Sequence, residues 1–462
     1  MSGADLTVAG GTVLTPAGLI AADVTIVDGR ITRLRPATGP GSGAPGRPSP
    51  AIDATGLMVV PGFIDLQCNG ALGVDLSSDP EDLWTVAAAL PRWGVTAWLP
   101  TIVSAPAGIR RRALAAIRSG PPPGGALGAT PLGLHLEGPF LAPERRGAHA
   151  PEHLVAPDPG VPTAEGWERD AVALATVAPE LPGALAVVEA LADRGIVVAA
   201  GHSSATAAEA RAGIAAGVTY VTHLFNAMAP LHHREPGLAG VALTDDRVTV
   251  GLIADGVHVD PAVVALAARA LGDRLSLVTD AVAALGLPPG PVRLGTRTAI
   301  ATAGPDAEPG VEPRAGGAGP GAGGSEPDAG PGAGGAERGA GPGAGGAERG
   351  ADPGAAGAGR GAEPDAARGT GRGAVRLPDG TLAGSTLALD QAVRNLVSFA
   401  GVPLTAAVAA VTSTPARALM LPDRGTIAEG AVADLVLLDD AAGVVATIVA
   451  GRLTYERRAG GG

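Results

Sequence analysis

Glu137, His202, His223 and Asp280 each close an apolar run, in LHLE, VAAGH, TYVTH and LVTD. Two neutral imidazoles and one carboxylate make a catalytic zinc set, which leaves the fourth tetrahedral position open to water. The second carboxylate, Asp280, is then free to act as the base. Taken singly, His202 or His223 reads better as a hydrogen-bonded structural histidine; together with carboxylates on separate strands, the ligand reading wins. The chain narrows its own chemistry further, because all 33 basic residues are arginine. Without lysine there is no Schiff base, no P-loop lysine and no carboxylated-lysine metal bridge. A metal must be held by His, Asp, Glu or the single Cys68.

The elements that must position these groups alternate between apolar strands and amphipathic helices, the pattern of parallel βαβ units. Strand candidates fall at 63–69, 97–103, 132–137, 172–178, 196–202, 218–223, 248–254 and 275–280. Eight such units predict an α/β fold, a (β/α)8 TIM-like barrel, whose active site lies at the C-terminal ends of the strands. Those ends read DLQCNG, HLEGP, GHSS, THLFN and VTDA, so Glu137, His202, His223 and Asp280 should converge at one mouth. Helical stretches at 79–93, 183–194, 205–216 and 260–271 fill most of the gaps.

Both chain ends carry short strand patterns instead, including an Asp28-Gly29 hairpin turn. Neither end has enough strands to close a core alone, so 1–61 and 419–458 should pair into one small β-sandwich-type domain beside a barrel domain at 62–418. Within the barrel domain, 304–372 collapses to Gly, Ala, Pro, Glu and Arg, with AGPGAGGAERG at 329–339 repeated at 340–350. Such composition cannot offset its backbone entropy by burial, and it reads as a disordered insertion in a hairpin, with one strand on each side.

A formal charge of −12 and ten aromatic residues argue against a nucleic-acid partner, which would need a basic stripe or stacking rings. No basic-then-apolar leader opens the sequence and no run of about 18 apolar residues occurs, so no membrane contact and a cytoplasmic location are expected. A lone cysteine fits a reducing compartment.

The segments PGFIDLQCNG, GLHLEGPFLAPERRGAH, AAGHSSAT, THLFNAMAPLHHREPGLAG, IADGVHVD, LVTDAVAALG, DGTLAGSTLALDQAVRNLV and TPARAL resemble the N-acetylglucosamine-6-phosphate deacetylase family of the amidohydrolase superfamily. The resemblance runs from the first strands to the C-terminus, interrupted by the insertion. It implies that Glu137, His202 and His223 hold one divalent metal per subunit, zinc, and that Asp280 is the acid/base with His149 against the acetamide carbonyl. It also implies substrate contacts from Gln67, Ala148, Asn226, Ala227, Arg234, His258, Leu382, Ala383 and Gly384. In such enzymes the arginine reaches in from a neighbouring subunit, which implies a homodimer.

Many barrel amidohydrolases place His-x-His on the first strand to hold a second metal, but this chain has Gln67-Cys68-Asn69. Amide side chains are poor ligands for a transition metal, so one ion per chain is expected. Cys68 should point away from Gln67 and Asn69 as a buried small hydrophobe. Two alternatives remain open at this level: an amidohydrolase acting on N-acetylgalactosamine 6-phosphate or another amide, and a non-catalytic sugar-phosphate sensor.

Overall fold

The computed structural model describes residues 6–37, 51–125, 127–302 and 373–457. Eight parallel strands run Phe63–Cys68, Val95–Val103, Leu134–Glu137, Val172–Val177, Val197–Ala200, Val218–Val221, Thr249–Leu252 and Leu275–Leu277, each hydrogen-bonded to the next in chain order. This is a TIM-like barrel, with every expected strand in place. Its strands are buried on both faces, which is why they read as near-continuous apolar runs. The helix Ala207–Ala216 starts at Thr206 with a reciprocal capping box to Glu209, and the helix Pro261–Leu271 starts with Asp260 accepting from the Ala262 N–H. The first expected helix is instead Leu83–Ala89 between two 3₁₀ turns, because Pro80 and Pro91 break the ladder on either side.

The two chain ends share one eight-stranded sheet, joined where Leu435–Leu438 pairs antiparallel with Met58–Pro61. Val8, Val24, Ile26, Val59, Leu435 and Ile448 bury their side chains in its core. At the expected hairpin turn Asp28 and Gly29 both have positive φ, 49° and 75°, as a type I′ turn requires.

The flanks of the low-complexity segment differ from the two strands expected there. Each flank is itself a hairpin: Gly290–Leu294 pairs with Arg297–Ala301, and Ala374–Arg376 with Leu382–Ser385, giving a four-stranded antiparallel sheet. Gly295 and Gly380, both at positive φ, turn the two hairpins within runs that the sequence pattern reads as single strands. The segment itself, expected as a disordered insertion at 304–372, lies outside the described residues. Among the described residues no helix is long and apolar enough to cross a membrane.

The barrel closes without a continuous ladder at its seam. No ladder joins the first strand to the eighth among the described residues; a single bridge, Cys68 to Ala281, does. Lower down, Ala410 and Val411 fill the seam, their carbonyls accepting from Leu277 N and Ile64 N at 2.9 and 2.7 Å. Between these points the buried Asp65 carboxylate bridges the strands, receiving Thr279 Oγ1 at 2.6 Å and the Gln67 N–H at 3.2 Å. Burial pushes this carboxyl up to about 7 against those hydrogen bonds. Above the unfolded value of 3.8 and up to about 7 the folded state therefore holds a proton that the unfolded chain releases, so this group's contribution to stability falls as pH rises. Asn at this position carries amide N–H in place of the acid O–H and cannot titrate. The Tm difference between Asp65→Asn and the parent is expected to move in the variant's favour from pH 5 to pH 8; a difference constant with pH would show that Asp65 does not titrate there.

Candidate active site

A cavity of ≈ 300 Å³ opens at the C-terminal ends of the barrel strands, and Glu137, His149, His202, His223 and Asp280 all reach its wall. Glu137 Oε1 lies 2.9 Å from His223 Nε2 and 3.2 Å from His202 Nε2, and the two imidazole nitrogens are 3.1 Å apart. Bonds of 2.0–2.2 Å to a tetrahedral ion would set ligand atoms about 3.3–3.6 Å apart, so this triangle is slightly tighter than a filled one. His202 Nδ1 is 2.9 Å from the Arg145 carbonyl, which can only accept, so the ring proton is on Nδ1 and the Nε2 lone pair faces the triangle. A carboxylate and two imidazole nitrogens gathered this closely in a buried pocket are a donor set that fits a divalent cation. Glu137, His149 and His202 also bring one ligand-type atom each within 4.8 Å of one another, so distance alone offers a second set.

The charges follow the geometry. Burial works against the Glu137 carboxylate, yet the imidazoles of His149, His202 and His223 gathered around it hold it well below the usual range. Asp280 is pushed up to about 6, first by burial and then by the Glu137 charge. Its Oδ1 accepts from Asn69 Nδ2 at 2.6 Å and from Gln67 Nε2 at 3.2 Å. The Gln67 amide is oriented by Thr222, whose hydroxyl donates to Oε1 at 2.5 Å, leaving the NH2 group to brace Glu137 and Asp280. Cys68, on the opposite side of the strand, is fully buried in the apolar core.

Backbone conformation marks the same wall. Of ten non-glycine residues with positive φ among those described, five are His202, His223, Phe225, Ala227 and Asp280, all lining the cavity. Strained φ persists where the surroundings over-determine it, and such positions gather at functional sites. Gly384, at φ +83°, has no room for a Cβ, which would sit 2.9 Å from the Asp280 carbonyl and 2.4 Å from Val282 Cγ1. The second hairpin thus presses directly on the Asp280 turn.

Of the other residues named from the sequence, Ala148, Asn226, Ala227, His258, Leu382, Ala383 and Gly384 line the cavity. His258 is anchored by Asp255 Oδ2 at 2.6 Å from its Nδ1. Two are placed elsewhere. Gln67 lies beneath the carboxylates, 1% exposed and off the cavity wall, so its contact is with Glu137 and Asp280. Arg234 stands on an exposed loop with its guanidinium 2.9 Å from His233 Nε2, away from this cavity. Asn69 also lines the wall, as do Val103, Gly147, Phe225, Val282, Leu294 and Thr381, which arrive unannounced. Phe225 sits inside the HLFNAM motif and was within reach of the sequence, whereas Leu294 and Thr381 arrive from the four-stranded sheet, whose position no periodicity specifies.

The sequence matches the Amidohydrolase family over residues 58–304, and again over 399–455. It is 34% identical over 418 residues to the N-acetylglucosamine-6-phosphate deacetylase of Bos taurus, covering 87% of this chain and 85% of that one. The chain belongs to the N-acetylglucosamine-6-phosphate deacetylase family of amidohydrolases. A shorter match, 43% identical over 257 residues, covers 53% of this chain and 63% of the Danio rerio protein of that name. An Escherichia coli O157:H7 relative of this amidohydrolase, 32% identical over 86% of this chain and 87% of its own, is an N-acetylgalactosamine-6-phosphate deacetylase. Among solved structures, an aspartate-to-alanine variant of the Mycobacterium smegmatis N-acetyl-D-glucosamine-6-phosphate deacetylase, in complex with N-acetyl-D-glucosamine-6-phosphate, is 32% identical. It superposes with a TM-score of 0.74, covering 98% of this chain and all of that one.

Proposed function

We propose that this amidohydrolase removes the acetyl group of N-acetylglucosamine 6-phosphate, giving glucosamine 6-phosphate and acetate. The observation that carries the reading is the Glu137–His202–His223 triangle with Asp280 on the same cavity wall. In this reading those three residues hold one zinc ion. When bound, such an ion supplies Lewis-acid polarisation and lowers the pKa of water from 15.7 towards about 7. Asp280 then takes the proton of the attacking water and returns it to the departing amine, whose loss as a free anion would be prohibitive. His149 donates to the carbonyl oxygen as negative charge develops there.

The phosphate is a remote anchor whose binding energy fixes the acetamide against Asp280. Asn226, Ala227 and His258 face it from the cavity wall. Glu137 and Asp280 make that wall acidic, and no arginine lines it among the described residues. A dianion needs a cation, and the proposed source is Arg234 of a second copy in a homodimer. A phosphorylated sugar does not cross membranes unaided, so the reaction belongs in the cytoplasm.

The test is acetate release by zinc-loaded protein from N-acetylglucosamine 6-phosphate and, in parallel, from its galacto epimer. The Escherichia coli relative favours the second substrate as an alternative, and the ratio of the two kcat/KM values decides between them. Binding of either sugar without acetate release would convert the enzyme reading into a sensor.

A further inference from the structure

We propose that Ser104 fixes the tautomer of His149, so that His149 faces the cavity as a permanent N–H donor through Nε2 and is not a metal ligand. The Ser104 backbone N–H donates to His149 Nδ1 at 3.1 Å, and the Ser104 hydroxyl lies 2.9 Å from the same nitrogen. A hydroxyl can donate or accept, but a backbone N–H can only donate, so Nδ1 must offer its lone pair. The alternative partner of the hydroxyl, the Glu137 carbonyl, is 3.5 Å away and does not compete. A neutral imidazole carries one N–H, and with Nδ1 unprotonated it is on Nε2.

That assignment separates the two ligand sets which distance alone leaves open. His202 carries its proton on Nδ1, towards the Arg145 carbonyl, and offers a lone pair at Nε2; His149 is arranged the opposite way round. The Nε2–H of His149 is 3.6 Å from Glu137 Oε2, beyond a good hydrogen bond, which leaves it free for a ligand oxygen. Protonation to imidazolium would set a second N–H on Nδ1 against the Ser104 N–H. Burial acts in the same direction, holding the His149 imidazolium down to about 4. Ser104 is therefore a positioning residue: it acts through His149, which sits 45 residues further along the chain.

The catalytic consequence rests on the deacetylase reading, but the tautomer does not. In zinc-loaded protein labelled with ¹⁵N-histidine, at pH 7.5, long-range ¹H–¹⁵N spectra are expected to show His149 with a pyridine-type Nδ1 and a pyrrole-type Nε2. Its resonances are assigned by their loss in His149→Gln. Ser104→Ala keeps the backbone N–H and is expected to keep the tautomer. A ring proton on Nδ1 in either protein overturns the proposal, as does ¹¹³Cd coupling to His149 in cadmium-loaded protein. For turnover, the Gln side chain can place an N–H near the Nε2 position and Asn cannot, so His149→Asn should lose kcat by about 10²–10³ with KM little changed, and His149→Gln distinctly less. Equal losses would also overturn it. Absence of acetate release with the expected spectra in place would defeat the deacetylase reading and leave the tautomer standing.

Discussion

Asp280→Asn, loaded with zinc, is expected to retain substrate affinity within about threefold while kcat falls by about 10²–10⁴, the usual worth of general acid–base catalysis. The substitution is close to isosteric, and the site dictates how the amide turns. Asp280 Oδ1 already accepts from two N–H donors, Asn69 and Gln67, so the new side chain keeps its oxygen there and points its NH2 at the cavity. That group can hold a water by donating to nothing but its oxygen, and it can neither take a proton nor return one. The residues proposed to meet the phosphate, Asn226, Ala227 and His258, come from other loops and are untouched. Measured kcat and KM, with metal content determined on the same sample, decide the matter. Turnover that persists while binding or metal content falls would make Asp280 a structural or metal-holding residue, and the base would have to be sought elsewhere.

What the sequence disclosed and what it hid have physical causes. The eight barrel strands were legible because parallel strands buried on both faces are continuous apolar runs, and the polar residue ending each run marks the barrel mouth. Glu137, His202, His223 and Asp280 were found on that basis alone. The four-stranded sheet was half hidden, since turns at Gly295 and Gly380 divide strands of three to five residues that lack a clear alternation. The seam was invisible: nothing in AAVTST announces that the carbonyls of Ala410 and Val411 will cap strands more than a hundred residues away. Ser104 was invisible for a different reason. Its decisive contact uses the backbone N–H, which every residue but proline possesses, so no choice of side chain records it.

Replacing His223 with Ala is expected to abolish metal retention and activity together. In the parent, zinc should be found at about one ion per chain after desalting, because Gln67 and Asn69 donate their NH2 groups to Glu137 and Asp280, and an amide oxygen is a poor ligand for a transition metal. Loss of His223 removes one corner of a three-atom triangle and leaves Glu137 and His202, too few to hold an ion in a catalytic geometry. A second readout separates this from simple unfolding. Zinc binds the folded parent and should raise its stability by about 2.7 kcal/mol at a hundred times Kd, visible as a rise in Tm. The variant should fold with a lower Tm, since the buried Glu137 carboxylate has lost one of its hydrogen-bonding imidazoles, and that Tm should not respond to zinc. A folded His223→Ala protein that still bound one zinc and hydrolysed the acetamide would remove His223 from the ligand set. It would also return the second grouping, Glu137 with His149 and His202, to consideration, and the His149 tautomer would then have to be the reverse of the one Ser104 dictates.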